Sequence, residues 1–562
     1  MKHHRRERNR TAGVGLLVCF LLPGSSVGLA DDFPSSVRNR TAAQMIELVQ
    51  QASDNHMEFG ELRVRSTRSR ILFDATFRPN ADGLSWVMLV NVDLQKMKAA
   101  DAEYEAGGYQ KSLERQVRFR GQSLYTVIWT KPKSDPVALQ LPVDMPPPGG
   151  PTDDSLRPLD EFFQSFLKRH NAAGATVAVA KDGRLVYARG FGFADVTARQ
   201  PMLPLSEMRI ASISKSLTGV AVMILMQKGL LSLDDPVLPL LLKSGYPALA
   251  ADADQRWNDL TVGHLLHHAG GFDRDESPDP MFQVVEITRQ YKLPTTASAR
   301  DIIRHQLTRP LDFDPGQRYA YSNFGYCLLG RVIEAASGIT YEEFVRRHIL
   351  QPCGMRQTRL GKIRLQDRGA HEVRYHMQKR SLHVPFWAGL PRPAIGSTPS
   401  LIADVEAPYG RWDLEVMDAH GGWVSTAPDL LRMVTQLESA ADPLLTPESL
   451  ALMVRAPELK EPTPGRTWYG GGWQVRPVGR SDRPLECHNI WHNGALDGTS
   501  TLLVRRWDGF SWAVLFNTDR SADGERLASL CDAQMHQVVN SVIEWPDTDL
   551  FATLSVLPSA LE

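Results

Sequence analysis

Along the first thirty residues the pattern is basic, then apolar, then small. Lys2, Arg5, Arg6, Arg8 and Arg10 precede an apolar run over 13–22 that stops at Pro23, and small residues over 24–30 lead to Asp31 and Asp32. That order predicts a secretory signal over 1–30, with a cut after Ala30. The apolar run is ten residues long, where a bilayer span needs about twenty. No later stretch is apolar for long enough to cross a membrane. The expectation is export, to a periplasm or the outside, with no stable span once the signal is removed.

Beyond a helical stretch at 42–49 the periodicity turns to strands at 62–65, 71–77 and 85–90, with turn residues at 79–83 between the last two. A helix is predicted over 93–106, ending at Gly107-Gly108, and strands at 116–119 and 123–129 follow. Together they predict a small α+β module over 58–131. Residues 132–158 are rich in Pro and Asp and suit neither helix nor sheet, so they form an interdomain connector. From 159 to 545 the alternation of helical and strand periods predicts one large α/β domain. It opens with an amphipathic helix over 159–170 and a hairpin of strands 175–180 and 184–189, turned at Lys181-Asp182-Gly183. A helix with apolar positions at 213, 217, 220, 221, 224 and 225 runs to Lys228 and stops at Gly229. Near the end lies a strand pair, 499–504 and 511–516.

Composition changes this picture little. Of 562 residues 43% are hydrophobic and 23% charged, and 63 Lys+Arg against 64 Asp+Glu give a net charge of −1. That balance supplies no general attraction to nucleic acid or anionic membrane, so a substrate has to be argued from a local site; the expected partner is a small-molecule or peptide substrate. Five cysteines are present. Cys19 lies in the leader, and Cys327, Cys353, Cys487 and Cys531 are spaced like no metal site. Disulfides and buried free thiols are equal alternatives for them. No pattern along the chain bears on oligomeric state.

The chemistry starts at Ser212-Ile213-Ser214-Lys215. Three residues apart at the start of a helix, Ser212 and Lys215 share a side. A serine hydroxyl needs a base to become a nucleophile, and a lysine held neutral by burial is such a base. The helix start also gathers backbone N–H groups where an oxyanion would form. The spacing alone is weak, since Ser165 and Lys168 share it on the solvated face of the opening helix. Company strengthens it. Tyr321 and Asn323, two apart on a turn before a helix beginning near Tyr326, are placed to relay a proton and to hold Lys215 and a substrate amide. Three His-x-Gly sequences, at His268, His420 and His492, offer a third wall, and only His492-Asn493-Gly494 opens a strand pair.

On these motifs residues 159–545 resemble the β-lactamase-related serine hydrolases: class C β-lactamases, D-alanyl-D-alanine carboxypeptidases, family VIII esterases and D-amino-acid peptidases. Ser212–Lys215 matches their S-x-x-K, Tyr321-Ser322-Asn323 their Y-x-N, and His492-Asn493-Gly494 their K/H-[TS]-G. The frameworks at 229–237, 260–266 and 421–426 match as well. The resemblance implies a mostly antiparallel sheet flanked by helices, with the small α+β module in front. It implies an acyl-enzyme on Ser212 and proton exchange through Lys215 and Tyr321. It further implies an oxyanion hole from the N–H groups of Ser212 and Ala495, beside Gly494, and no metal or organic cofactor. The segments 104–109 and 124–129 resemble a bacterial tandem repeat module found beside such hydrolases. Against class C β-lactamases one position departs: His492-Asn493 stands where Lys-Thr binds a substrate carboxylate. Histidine is at most partly charged near neutrality, which favours a peptidase or esterase over a β-lactamase or penicillin-binding protein proper. Cell-wall D-peptides, small esters and glycine-rich peptides stay open as substrates, and the rival of a different class is a non-catalytic binding or scaffolding relative.

Overall fold

The structure is a computed structural model. It describes residues 16–18, 34–42, 44–45, 48, 52, 57–79, 85–106, 109–131, 137–293, 295–380, 382–383, 405–437, 439, 441–461, 465–478 and 483–554. The chain divides into two compact units, one of residues 1–137 with 288–296 and 381–411, the other of 138–287 with 297–380 and 412–562. Of the segment expected to be a leader, only Leu16–Val18 is described, antiparallel to Val87–Leu89 of the strand Ser85–Val92; the rest lies outside the described residues.

In the smaller unit a hairpin pairs Met57–Ser66 with Ile71–Pro79, and Ser36–Arg40 adds a third strand. Ile71, Phe73, Ala75 and Phe77 alternate into its core as period-two patterning requires. A second sheet carries Ser85–Val92, Gln122–Lys131 and Gln110–Phe119. Against it the helix Leu94–Ala106 places Tyr104, whose ring lies 4.8 Å from that of Trp129 and 5.8 Å from that of Tyr109. The aromatic residues that stood out in the sequence are therefore the core of this module, with the Trp129 indole N–H donating to Asp101 at 3.0 Å.

The larger unit opens with α1 (Arg157–His170), β1 (Gly174–Lys181), β2 (Arg184–Asp195) and α2 (Ser214–Gln227). Two further helices follow, α3 (Asn323–Ser337), which carries a site residue at its start, and α4 (Ala427–Gln436), which packs on the sheet. The chain closes with β3 (Gln474–Pro477), β4 (His488–Leu496), β5 (Thr499–Arg505), β6 (Phe510–Phe516) and α5 (Leu527–Ser541). The eight-stranded sheet runs Gln200–Pro201, β2, β1, β6, β5, β4, β3, Trp468–Tyr469, antiparallel at every pair. Its centre joins the first hairpin to the last, with Ala178 opposite Ala513. The fold expected from the sequence is the fold found.

One face of this sheet is sealed by α1 and α5. Phe163, Phe166 and Leu167 meet Val177, Phe191, Trp512 and Phe516, and Leu527, Cys531 and Met535 complete the layer. Ser165 and Lys168 stay exposed on the outer side of α1, so the decoy S-x-x-K is a solvated face. Residues 148–151 of the expected connector are held down: the Arg189 guanidinium donates to the carbonyls of Pro148, Gly149 and Pro151 at 3.0–3.1 Å.

Two local expectations shift. Helix α2 is buried all round from Ser214 to Leu225 rather than on one face, because the helices Asn323–Ser337, Asp418–Gly421 and Pro447–Val454 all pack against it. Helix α3 starts at Asn323, three residues earlier than the apolar pattern suggested, because the Ser322 hydroxyl caps the Gly325 N–H at 3.0 Å. The four cysteines Cys327, Cys353, Cys487 and Cys531 are free thiols. Among the described residues no helix is long and apolar enough to cross a membrane, and no three potential metal ligands gather.

Phe163 has no exposed surface and stacks on Phe191 at 5.4 Å between centroids. Phe163→Ala is expected to cost about 3–5 kcal/mol through lost transfer energy and a cavity, measured by urea unfolding of the full chain.

Candidate active site

The site is built where α2 begins. Met208–Arg209 pairs with Trp423–Ser425, and the Ile210 N–H donates to the Trp423 carbonyl at 2.9 Å. The buried Arg209 guanidinium donates to the carbonyls of Lys362 and Ile363 at 3.0 and 3.1 Å. From that anchor the chain turns sharply. Ala211 holds φ at +47°, a left-handed conformation that costs a non-glycine residue about 1–2 kcal/mol. Ser212 then sits in a single 3₁₀ turn, Ala211–Ile213, one step ahead of α2 rather than within its first turn. Its side chain is half-buried, open to the cleft.

Lys215 is completely buried in the first turn of α2, and its Nζ has three oxygen neighbours. Asn323 Oδ1 lies at 2.8 Å, the His420 carbonyl at 2.9 Å and Ser212 Oγ at 3.2 Å. A neutral amine has two N–H bonds and one lone pair. The amide and carbonyl oxygens can only accept, so they take both hydrogens. The lone pair is left for Ser212, whose hydroxyl then donates. Burial drives the lysine well below its ordinary range; Arg274 pushes the same way and Asp279 opposes.

Each acceptor is held by a partner of its own. Asn323 Nδ2 donates to Asp279 Oδ2 at 2.9 Å, which fixes the amide with its oxygen toward the lysine. Asp279 is half-buried; desolvation raises its pKa while the Met281 N–H, Asn323 and Lys215 lower it. The His420 carbonyl belongs to the short helix Asp418–Gly421. That helix is tied to α2 by Thr218 Oγ1, which donates to the Ala419 carbonyl at 2.6 Å, and to α3 by an Arg331–Asp418 ion pair.

Tyr321 stands over the lysine, its ring centroid 4.7 Å from Nζ, and its hydroxyl hydrogen-bonds Ser212. Burial raises its pKa above the ordinary tyrosine value. Burial thus pushes both groups toward neutrality, leaving an amine base beside a protonated phenol. Behind Tyr321, the ring of His268 lies 4.3 Å from it and 4.3 Å from Tyr469, and the Ser322 N–H donates to His268 Nδ1 at 3.2 Å.

The opposite wall is β4. Its pairing with β3 stops at Trp491, while that with β5 continues to Leu496, so 492–496 face the cleft from a strand edge. Gly494 is required by closeness: a Cβ there would meet the Ile210 carbonyl oxygen and the Thr501 hydroxyl, with the Ala211 Cβ at 3.1 Å. Ala495 is exposed beside it. His492 is buried with both ring nitrogens committed. Nδ1 lies 2.7 Å from the Asn493 carbonyl, which can only accept, so Nδ1 carries the proton; Nε2 then accepts from the Tyr469 hydroxyl at 2.9 Å. Desolvation lowers its pKa to about 3. It is a neutral, fully engaged imidazole.

The structure therefore brings Ser212, Lys215, Tyr321, Asn323, His492, Gly494 and Ala495 around one cleft. The Beta-lactamase family profile matches residues 159–533. The chain belongs to the Beta-lactamase family. Penicillin-binding protein 4* of Bacillus subtilis (strain 168) is 26% identical over 399 residues, 69% of this chain and 77% of that protein. Protein flp of Staphylococcus aureus (strain MW2) is 27% identical over 391 residues, 69% and 68% of the two chains. Among solved structures, D-amino acid amidase from Ochrobactrum anthropi SV3 superposes with a TM-score of 0.51 at 20% identity, covering 69% of this chain and 99% of that one. The octameric penicillin-binding protein homologue from Pyrococcus abyssi gives 0.50 at 24% identity, over 68% and 78%. Both superpositions establish the fold.

Within this Beta-lactamase family domain, sequence reasoning missed Asp279, Tyr469 and the two rejected histidines. His420 enters through its carbonyl and His268 through its ring face. Their His-x-Gly sequences were visible, but nothing in spacing indicates that a backbone oxygen or a ring face is what the site uses. Asp279 had no local signal at all.

Gly494→Ala forces β4 away from the nucleophile turn. The expected cost is about 1–3 kcal/mol of stability, read by urea unfolding, together with a displaced Ser212 seen as slower reaction with a neutral fluorophosphonate.

Proposed function

We propose that this chain is an exported serine hydrolase that cleaves an amide, peptide or ester bond through an acyl-enzyme on Ser212. In this reading 1–30 is the signal, 58–131 an accessory module, 132–158 the connector and 159–545 the hydrolase domain. The observation that carries it is the buried Lys215 amine, whose two hydrogens are taken by Asn323 and His420 while its lone pair faces the Ser212 hydroxyl.

Lys215 takes the hydroxyl proton as Ser212 Oγ attacks the substrate carbonyl. The N–H groups of Ser212 and Ala495 receive the developing oxyanion. Tyr321, protonated and hydrogen-bonded to Ser212, hands its proton to the departing amine or alkoxide and regains one from Lys215. Water then attacks the acyl-enzyme by the reverse proton path and releases the acid. Asn323, anchored by Asp279, holds the lysine and reads the substrate amide. Because His492 is neutral and committed, it offers no cation to the carboxylate of a β-lactam, which supports peptidase or esterase chemistry over a β-lactamase.

A fluorophosphonate is expected to label the wild type and not Ser212→Ala. Lys215→Ala is expected to fold and to lose at least about a hundredfold in kcat. Absence of label on the wild type would favour the non-catalytic reading. The reaction needs the unprotonated amine, so kcat/KM should fall as pH drops through the lowered lysine pKa, with no limb from His492 near neutrality. Asp279 raises the Lys215 pKa, so Asp279→Asn should move that acid limb to lower pH. It should also cut kcat, because an amide at 279 no longer dictates which way Asn323 turns. Steady-state pH profiles with one chromogenic ester check both.

A further inference from the structure

Arg274 is an exposed cation at the mouth of the cleft, its Cζ 5.1 Å from the centroid of the Tyr321 ring. The turn that carries it is pinned. The Asp273 N–H donates to Asp312 Oδ2 at 2.7 Å, and the N–H groups of Glu276 and Ser277 close onto the Asp273 carbonyl at 3.1 and 2.8 Å. The Ser277 hydroxyl donates to Asp312 Oδ1 at 2.6 Å. Three of the nearby acids are spoken for. Asp273 and Glu276 each accept from Arg318 at 2.6 Å, and Asp279 accepts from Asn323. The Arg274 guanidinium has no hydrogen-bonded or ion-paired partner among the described residues, the neighbouring exposed Asp275 included. Stacking on a tyrosine face leaves the guanidinium edge, with its forked donors, open to the cleft.

We propose that Arg274 is the specificity residue that reads an anionic group on the substrate, so that acyl compounds bearing a carboxylate near the scissile bond are preferred. This rests on the Ser212 hydrolase reading and deepens it. His492 occupies the place where relatives use a cation, yet both its nitrogens are engaged. The unpaired charge over the Tyr321 ring lies instead on the Tyr321 side of the site, on a turn too well tied to swing away. A planar fork suits a carboxylate better than a point charge does.

The test uses the full chain as wild type, Arg274→Gln and Arg274→Lys, with two matched ester pairs. Mono-p-nitrophenyl glutarate against p-nitrophenyl valerate puts the carboxylate on the acyl side. Acetyl esters of 4-hydroxybenzoate and 4-hydroxybenzamide put it on the leaving group. The expected result is a wild-type preference for the anionic member of at least one pair. Arg274→Gln should lower that anionic-to-neutral kcat/KM ratio about tenfold or more, and Arg274→Lys should fall between. Ratios that favour neither anion in the wild type, or that are equal in wild type and Arg274→Gln, overturn the proposal. Fluorophosphonate labelling is run on the same samples: an unlabelled wild type overturns the hydrolase reading itself, whereas a labelled wild type with an unmoved ratio overturns only the role of Arg274.

Discussion

The site depends on one buried amine. An isolated ammonium without solvent is costly enough that the group gives up its proton instead, and Lys215 has no exposed surface. Once neutral, it must still satisfy two N–H bonds in the interior. The chain supplies the acceptors from positions about a hundred and two hundred residues away, Asn323 at the start of α3 and the His420 carbonyl at the end of a short helix. Most of the surrounding structure serves to hold those two oxygens still: Ser322 caps α3, Asp279 fixes the Asn323 amide, and Thr218 and Arg331 tie down the 418–421 segment. The strained Ala211 brings the remaining partner, Ser212, to the lone pair.

Neutrality spreads from that point. His492, Tyr321 and His268 are all packed deep enough that burial disfavours their charged forms. The phenol cannot be the resting base, because the same desolvation that frees the lysine lone pair keeps the tyrosine proton in place. In the proposed mechanism this separates roles that the resemblance left shared between Lys215 and Tyr321: the amine would accept first and the phenol would pass the proton on.

Much of this was legible in the sequence. The order S-x-x-K, Y-x-N, His-x-Gly, with two hairpins carrying period-two alternation, was enough for the fold and for the residues gathered at the cleft. Choosing His492 among three histidines rested on one physical cue, a following strand pair, and that strand is the wall opposite Tyr321. What was not legible depended on atoms without residue-specific signals. A carbonyl serves the lysine whatever side chain follows it, as His420 shows. Asp279 works only because a distant asparagine turns toward it. Helix α2 gave an amphipathic pattern too weak to reveal that it is enclosed on every side, since small and hydroxyl residues such as Ser214, Ser216 and Thr218 are buried through their bonds to neighbouring segments.

Two charges act on Lys215 in opposite senses, Asp279 raising its proton affinity and Arg274 lowering it. Asp279 is half-buried and tied to Asn323, whereas Arg274 faces solvent. A substrate anion seated on Arg274 would cancel the outer charge and leave the inner one unopposed. The amine would then be a stronger base with substrate bound than without it, at the moment when Ser212 must lose its proton. In the empty site burial keeps the lysine neutral and its lone pair free, and the uncancelled guanidinium adds to that effect. With an anion on Arg274 as proposed, recognition and base strength would be coupled through a single side chain that never touches the transferred proton.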